Sequence, residues 1–382
     1  MAIRTVESDG FPLIRMLRED GSALIANNSS DNLPSKETIL SIYKAMLTTR
    51  VLDNRMLKLQ RQGRVAFVGT ATGQEGAIHG SAEAFAQDDW IFSALREGGV
   101  AVQRGMPIRE YVAHMFGNAE DTAKGRQMPN HFQCKEVNFP SWSSVLGTQL
   151  PHAVGVAMAM KSRGDQSVVA AYAGDGATSS NGFHSALNFA AVRGAPVVFL
   201  VVDNGWAISV PSAKQTQASS YGAKAKAYGM PGVDVDGNDP LACFMATSEA
   251  VERARKGNGP SLVAFRTYRM GGHSSSDDPA RYRMDEEVEY WERRDPIRRL
   301  ETFIKSIDLY SGEEARALRD SLASEVRSAV RDAEAVGPPP LDSLVEDVFA
   351  EPPRHLRRQV VEALRVVDEK GEADRLEGKF PL

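Results

Sequence analysis

Asp175 and Asn204 each follow a short apolar run and each sit beside glycine, in Gly174-Asp175-Gly176 and in Asp203-Asn204-Gly205. A carboxylate and a carboxamide oxygen suit a hard cation such as magnesium, which takes few protein oxygens and keeps positions for phosphate and water. The backbone carbonyl of Trp206 offers a third oxygen. Gly174 and Gly176 allow a ligand to approach the backbone closely. Read alone, Gly-Asp-Gly is also an ordinary turn in which Asp175 caps a helix. The second polar end, after the second apolar run, favours the metal reading.

Such residues need strands to present them. "QSVVAAYAGDG" and "APVVFLVVDNG" read as buried strands. Between them, "NGFHSALNFAAVRG" sets Phe183, Ala186, Leu187, Ala190 and Ala191 on one helical face, with Gly194 as the stop. Strand, helix and strand of this size make a βαβ unit with parallel strands, and ligands bind beyond the carboxyl ends of such strands. The helix after Gly176 is expected to aim its N-terminus at the same point, which favours phosphate. A further strand is expected in "PSLVAFRTYR". A long amphipathic helix is expected from Ser35, an N-cap with Thr38 in the first turn, through Ile39, Ile42, Tyr43, Met46 and Leu47 to Gly63. "GQEGAIHGSAEAF" and "VLGTQLPHAVGVAMAMKSRG" read as helices, the second packed tightly through Gly155, Ala157 and Ala159. "EEARALRDSLASEVRSAVRDAEAV" reads as a charged surface helix before Pro339–Pro340. The fold class is α/β, a parallel sheet with helices on both faces. Residues 1–35 read as an arm with little core of its own, 36–345 as the diphosphate- and magnesium-binding domain, and 346–382 as a helical tail.

The bulk properties narrow the classes. A chain of 382 residues with 42% hydrophobic and 25% charged residues supports a sizeable core. A net charge of -5 gives no reason to expect nucleic acid or an anionic membrane as partner. No apolar run reaches bilayer length, and the first residues form neither a secretory signal nor a transit peptide. Cys134 and Cys243 lie far apart in the sequence and have no metal spacing, so a reducing cytoplasm is the expected setting. "GDGATSS" lacks the third glycine of a dinucleotide fingerprint, and no Walker lysine follows. A metal-dependent phosphohydrolase would want a denser carboxylate or histidine cluster.

From Asp175 to Asn204 is 204 − 175 = 29 residues, and the arrangement resembles the thiamine diphosphate signature, in which Asp and Asn hold magnesium against the diphosphate. "KGRQMPNHFQCKE", "SSVLGTQLPHAVG", "DNGWAIS" and "YRMGGHSSSDDPARYR" extend the likeness over roughly residues 40 to 350. Together they resemble the alpha subunit of the decarboxylating component of 2-oxo acid dehydrogenase complexes, most nearly the branched-chain (2-oxoisovalerate) type. Pyruvate and acetoin enzymes share the skeleton.

The resemblance implies a thiamine diphosphate-binding fold with Asp175, Asn204 and the Trp206 carbonyl on magnesium. It implies Gly174, Gly176 and Ala177 along the diphosphate, Arg96 on a phosphate oxygen, and Ser144 and Leu146 against the cofactor. Guanidinium geometry suits the task given to Arg96. Ser143, Thr148 and Gln149 match a potassium-binding loop of some members; a helix cap explains the same residues. His273 is expected to face the diphosphate and the reacting intermediate from a loop anchored by Arg269, Tyr282 and Arg283. By local chemistry alone that loop is a solvated, mobile segment. His131 is expected either to support the active site or to be a polar core residue, and Glu75 to be structural or at an interface. Ser274 matches a position phosphorylated in mitochondrial relatives, where added charge would oppose a diphosphate. Phe67, Leu95 and Trp206 are candidates for an apolar acyl pocket.

Two departures stand out. Ala94-Leu95-Arg96 replaces a common polar-Tyr-Arg run, and Asp203 stands where many members have asparagine. This chain has one such core, and the resemblance implies that the glutamate beside the aminopyrimidine comes from a separate beta subunit, in an expected alpha-two beta-two assembly. The acyl group of the 2-oxo acid would pass to a lipoylated acyltransferase. A non-catalytic diphosphate-binding regulatory subunit is the alternative from another class.

Overall fold

Small and β-branched residues in two unbroken runs form the centre of a sheet that is covered on both sides. The computed structural model describes residues 4–8, 11–24, 33–346 and 348–370. The strands are β1 (Arg4–Ser8), β2 (Phe11–Arg15), β3 (Trp90–Phe92), β4 (Val169–Gly174) and β5 (Val197–Asp203), then a short ribbon of β6 (Trp206–Ala207) and β7 (Val210–Pro211), then β8 (Gly232–Asp236) and β9 (Ser261–Arg266). The main sheet runs β1-β2-β8-β9-β5-β4-β3. The six strands from β2 to β3 are parallel, and β1 closes the edge antiparallel to β2. β4 and β5 pair from Val169↔Val197 to Gly174↔Val202, so both end at one level.

The helices are α1 (Lys36–Arg61), α2 (Glu75–Ala82), α3 (Gly98–Gln103), α4 (Ile108–Phe116), α5 (Gln149–Arg163), α6 (Asn181–Arg193), α7 (Pro240–Arg255), α8 (Asp285–Glu292), α9 (Pro296–Ser306), α10 (Gly312–Glu334), α11 (Ser343–Glu346) and α12 (Arg354–Lys370). Side chains alternate across each strand. Val169, Ala171 and Ala173 of β4 pack with Leu150, Ala153 and Ala157 of α5 and with Phe183 and Leu187 of α6. Ala170 and Tyr172 face the other side, toward α1, α2, α7, α9 and α10. Burial on both faces explains why the central strands read as continuous apolar runs.

Ser35 caps α1, its Oγ accepting from the Thr38 N–H at 3.2 Å, and Ile39, Ile42, Tyr43, Met46 and Leu47 are buried. Three expectations are corrected. Residues 11–24 are no loose arm: β2 joins the main sheet beside β8, Leu13, Met16 and Leu17 are buried, and the Met16 and Leu17 N–H groups donate to Asp239 Oδ2 at 2.7 and 2.6 Å. Residues 25–32 of the expected arm lie outside the described residues. In α5 only Ala157 of the three small residues is packed; Gly155 and Ala159 are exposed, and Gly155 has open space around it. α10 is charged outward but buries Leu322, Val326 and Val330.

Candidate active site

β4 and β5 end beside each other, so Asp175 and Asn204 emerge at the same edge. No α-helix starts at Gly176. A 3₁₀ turn (Asp175–Ser179) comes first, and α6 begins at Asn181 under its own cap, Ser180, whose side chain accepts from the Phe183 N–H. The turn brings Gly176 against the β6–β7 ribbon, where an added Cβ would lie 2.7 Å from Ala207 Cβ. Only glycine fits there.

Asp175 is buried, and its Oδ2 accepts from Gln215 Nε2 at 2.6 Å and from Ser212 Oγ at 3.2 Å. The Ser212 hydroxyl also lies 2.7 Å from Asp203 Oδ1. Burial raises the carboxyl pKa of Asp175, and burial together with Asp175 pushes Asp203 up to about 6. Asp203 accepts from the Gly205 N–H at 3.2 Å, so it holds the turn that carries Asn204. Asn204 donates from Nδ2 to Gln74 Oε1 at 2.9 Å and accepts at Oδ1 from the Trp206 N–H at 3.2 Å. The Trp206 carbonyl, expected to face a cation, accepts from Arg269 Nη1 at 3.2 Å. Its second lone pair remains for another partner.

One cavity of about 450 Å³ lies over these strand ends. Gly174, Asp175, Gly176, Ala177, Asn204 and Trp206 line its floor, and Arg96 and His273 close one side. Phe67, Leu95, Leu146 and Trp142 give it apolar walls, and His131, Ser144, Gln149 and Gln74 add polar groups. Ser143 and Thr148 do not reach it. Gln149 donates to the Tyr172 carbonyl at 2.8 Å, and its Oε1 is buried with no partner.

Arg96 is buried. Its Nη1 donates to the Thr70 carbonyl and its Nη2 to the His273 carbonyl at 2.9 Å. Burial, with Arg269 nearby, lowers its pKa to about 10, so the guanidinium stays charged at neutral pH. Burial and the cations Arg96 and Arg269 push the His273 imidazole down to about 4, so it is neutral. Its backbone N–H donates to Asp277 Oδ2 at 2.6 Å. Tyr282 donates to the same carboxylate and accepts from Arg269 Nη2 at 2.6 Å. Arg283 donates to the carbonyls of Arg269 and Met270. The loop is thus tied down along its length, and Arg269 joins it to the Trp206 turn. His131 Nδ1 faces the Met128 and Pro129 carbonyls at 3.1 and 3.2 Å, which leaves Nε2 to accept from Ser144 Oγ at 2.5 Å. Burial lowers its pKa, and its ring lies 4.3 Å from that of Trp142. Glu75 braces the interior: it pairs with Arg50 and accepts from the Gly73 N–H at 2.8 Å.

The donor set fits a hard divalent cation with a diphosphate. Two neighbouring side-chain oxygen ligands, an uncrowded Gly174 and a buried guanidinium meet in one cavity, and buried amide atoms of Gln74 and Gln149 lack partners there. Among the described residues no group of three His, Cys, Asp or Glu side chains could hold a metal by itself. Sequence reasoning missed Gln74. Its only signal was a polar residue before the expected helix in "GQEG".

The Dehydrogenase E1 component family profile matches residues 43–342. The chain is 41% identical over 341 residues to the 3-methyl-2-oxobutanoate dehydrogenase subunit alpha of Mycobacterium tuberculosis, covering 88% of this chain and 89% of that one. It is 40% identical over 354 residues to the mitochondrial 2-oxoisovalerate dehydrogenase subunit alpha 2 of Arabidopsis thaliana (92% and 75%). With the mitochondrial 2-oxoisovalerate dehydrogenase subunit alpha of Homo sapiens it shares 39% over 364 residues (95% and 81%).

Proposed function

Because the chain belongs to the dehydrogenase E1 component family, we propose that it is the alpha subunit of a thiamine diphosphate-dependent branched-chain 2-oxo acid dehydrogenase. It decarboxylates 2-oxo acids such as 3-methyl-2-oxobutanoate and passes the acyl group to a lipoyl arm of an acyltransferase. One observation carries this reading: an oxygen-donor pair, a buried guanidinium and a neutral histidine converge on one apolar-walled cavity at the ends of β4 and β5.

Thiamine diphosphate, when bound, supplies the nucleophilic carbon and the electron sink for decarboxylation. Asp175, Asn204 and the Trp206 carbonyl would hold magnesium. Gly174, Gly176 and Ala177 would lie along the diphosphate, with Arg96 countering its charge. Ser144 and Leu146 would contact the cofactor. His273, kept neutral, would take or give a proton beside the substrate carbonyl. His131, committed to Ser144, would support that wall. Phe67, Leu95 and Trp206 would shape the acyl pocket, although an apolar pocket separates single methylenes only weakly. Potassium at Ser143, Thr148 and Gln149 would use the Gln149 Oε1, which is buried without a protein partner while Nε2 holds the Tyr172 carbonyl.

The family pairs this chain with a beta subunit and a lipoylated acyltransferase; an alpha-two beta-two stoichiometry is our reading. Met128, Leu146 and Ile208 are exposed around the cavity, an apolar rim that supports a partner there. Among the described residues no helix is long and apolar enough to cross a membrane; the cytoplasm is the proposed location.

The test is reconstitution with the co-encoded beta partner, thiamine diphosphate and magnesium. Reduction of an artificial acceptor is followed with 3-methyl-2-oxobutanoate, pyruvate and acetoin, with Asn204→Ala as control. The branched substrate should lead and the control should be inactive. A lead by pyruvate or acetoin would sink the specificity. Cofactor binding without turnover of any substrate would favour a regulatory subunit.

A further inference from the structure

Gln74 has no part in the roles above, yet it is 1% exposed and lines the cavity. It is presented by a locked turn. Its N–H donates to the Ala71 carbonyl at 2.8 Å, and the carbonyl of Gly73 accepts from Thr267 Oγ1 at 2.8 Å. Gly73 itself sits at φ +95°, where an added Cβ would come within 2.3 Å of the Tyr268 carbonyl oxygen. The turn is therefore pressed against the chain leaving β9, and the Gln74 side chain has little freedom.

The carboxamide of Asn204 is held from both ends. The Trp206 N–H needs an oxygen, and Oδ1 supplies it at 3.2 Å; Gln74 Oε1 needs a donor, and Nδ2 supplies it at 2.9 Å. Turning Asn204 over would set donor against donor and acceptor against acceptor. Gln74 faces Asn204 with its oxygen, and its own Nε2 is left buried without a partner.

We propose that Gln74 is a positioning residue: through Oε1 it holds the Asn204 carboxamide so that Oδ1, rather than Nδ2, is offered to a divalent cation beside Asp175. The proposal rests on the reading of Asp175 and Asn204 as magnesium ligands. Groups that orient metal ligands without touching the metal commonly control affinity by about tenfold to a hundredfold.

The test uses the full chain with its beta partner. Magnesium is titrated at fixed thiamine diphosphate, and binding is read from tryptophan fluorescence, since Trp142 and Trp206 line the cavity. Gln74→Leu should raise the magnesium concentration required by about tenfold to a hundredfold, with kcat at saturating magnesium largely kept. Gln74→Glu, which at neutral pH keeps an acceptor toward Asn204 and loses the donor, should restore most of the affinity. Gln74→Met replaces the leucine variant if that one fails to fold. An unchanged magnesium requirement in the apolar variant would overturn the proposal. A glutamate variant as weak as the leucine one would also overturn it, moving the role to the Nε2 donor. An unaltered protein that binds cofactor with no magnesium dependence would remove the underlying reading as well.

Discussion

Tyr282→Phe removes one oxygen from the clamp on the His273 loop. The hydroxyl accepts from Arg269 Nη2 at 2.6 Å and donates to Asp277, which in turn holds the His273 N–H at 2.6 Å. The ring itself stays, because its contact with Trp206, 5.1 Å between centroids, needs no oxygen. Arg269 keeps the Ile208 carbonyl at 2.7 Å, and Asp277 stays 4.0 Å from Arg269. Hydrogen bonds to charged groups contribute roughly 1.5–3 kcal/mol. Tyr282 is only part-buried, so water recovers some of that, and about 1 kcal/mol is the expected loss. That corresponds to roughly a fivefold drop in the docked fraction of the loop. Trypsin reports it directly, since Arg281 is exposed on this loop and cleavage follows the opened population. Without cofactor the variant should be cut about fivefold faster, and it should need more thiamine diphosphate for protection. An unchanged cutting rate would refute the clamp.

Three other outcomes follow from the same geometry. Gly73→Ala should lower stability by roughly 2–4 kcal/mol, read as a fall in urea midpoint, because the new methyl meets the Tyr268 carbonyl at a positive φ. His79 is fully buried between Thr49 Oγ1 (2.8 Å) and Gln103 Oε1 (2.7 Å), and burial pushes its pKa from 6.5 down to about 4. Its stabilising effect is therefore complete above pH 6.5 and lost as pH falls toward 4, by on the order of 3 kcal/mol. Urea unfolding of the parent and His79→Gln at pH 7 and pH 4.5 should show the larger acid loss in the parent; equal losses would exclude His79 as the cause. Arg96→Gln should weaken thiamine diphosphate binding, measured calorimetrically, by more than tenfold, since a buried cation facing a diphosphate is replaced by a neutral group.

The parts of the fold that were legible are those with local signals. The β4–α6–β5 unit shows as two apolar runs around one amphipathic helix, and α1 carries its cap and its spacing within one segment. The strand-end residues follow from that unit, because parallel strands of matched length deliver their next residues to one edge. The 3₁₀ turn before α6 was not legible: a helix cap at Asp175 and one at Ser180 look alike in sequence, and the packing of Gly176 on Ala207 decides between them. Nor was the small-residue face of α5, where composition suggested close packing at Gly155 and Ala159 and only Ala157 meets a neighbour. Gln74 was missed because its importance depends on Asn204, 204 − 74 = 130 residues away. β2 was missed for the same reason, since its partner in the sheet is β8.

That pairing orders events in time. Ile14 pairs with Val235, so β2 waits for 235 − 14 = 221 further residues to be made before its partner exists. At about 5–20 residues per second the wait is roughly 10–45 s. Until then β2 has no sheet to join, and once β8 is made its outer edge stays open until β2 docks. An unpaired parallel edge invites another chain. The interval between the synthesis of β2 and its docking on β8, more than the formation of the β4–α6–β5 core, is then the period in which newly made copies are most exposed to one another, and Leu13, Met16 and Leu17 are the side chains that end that exposure when they are buried.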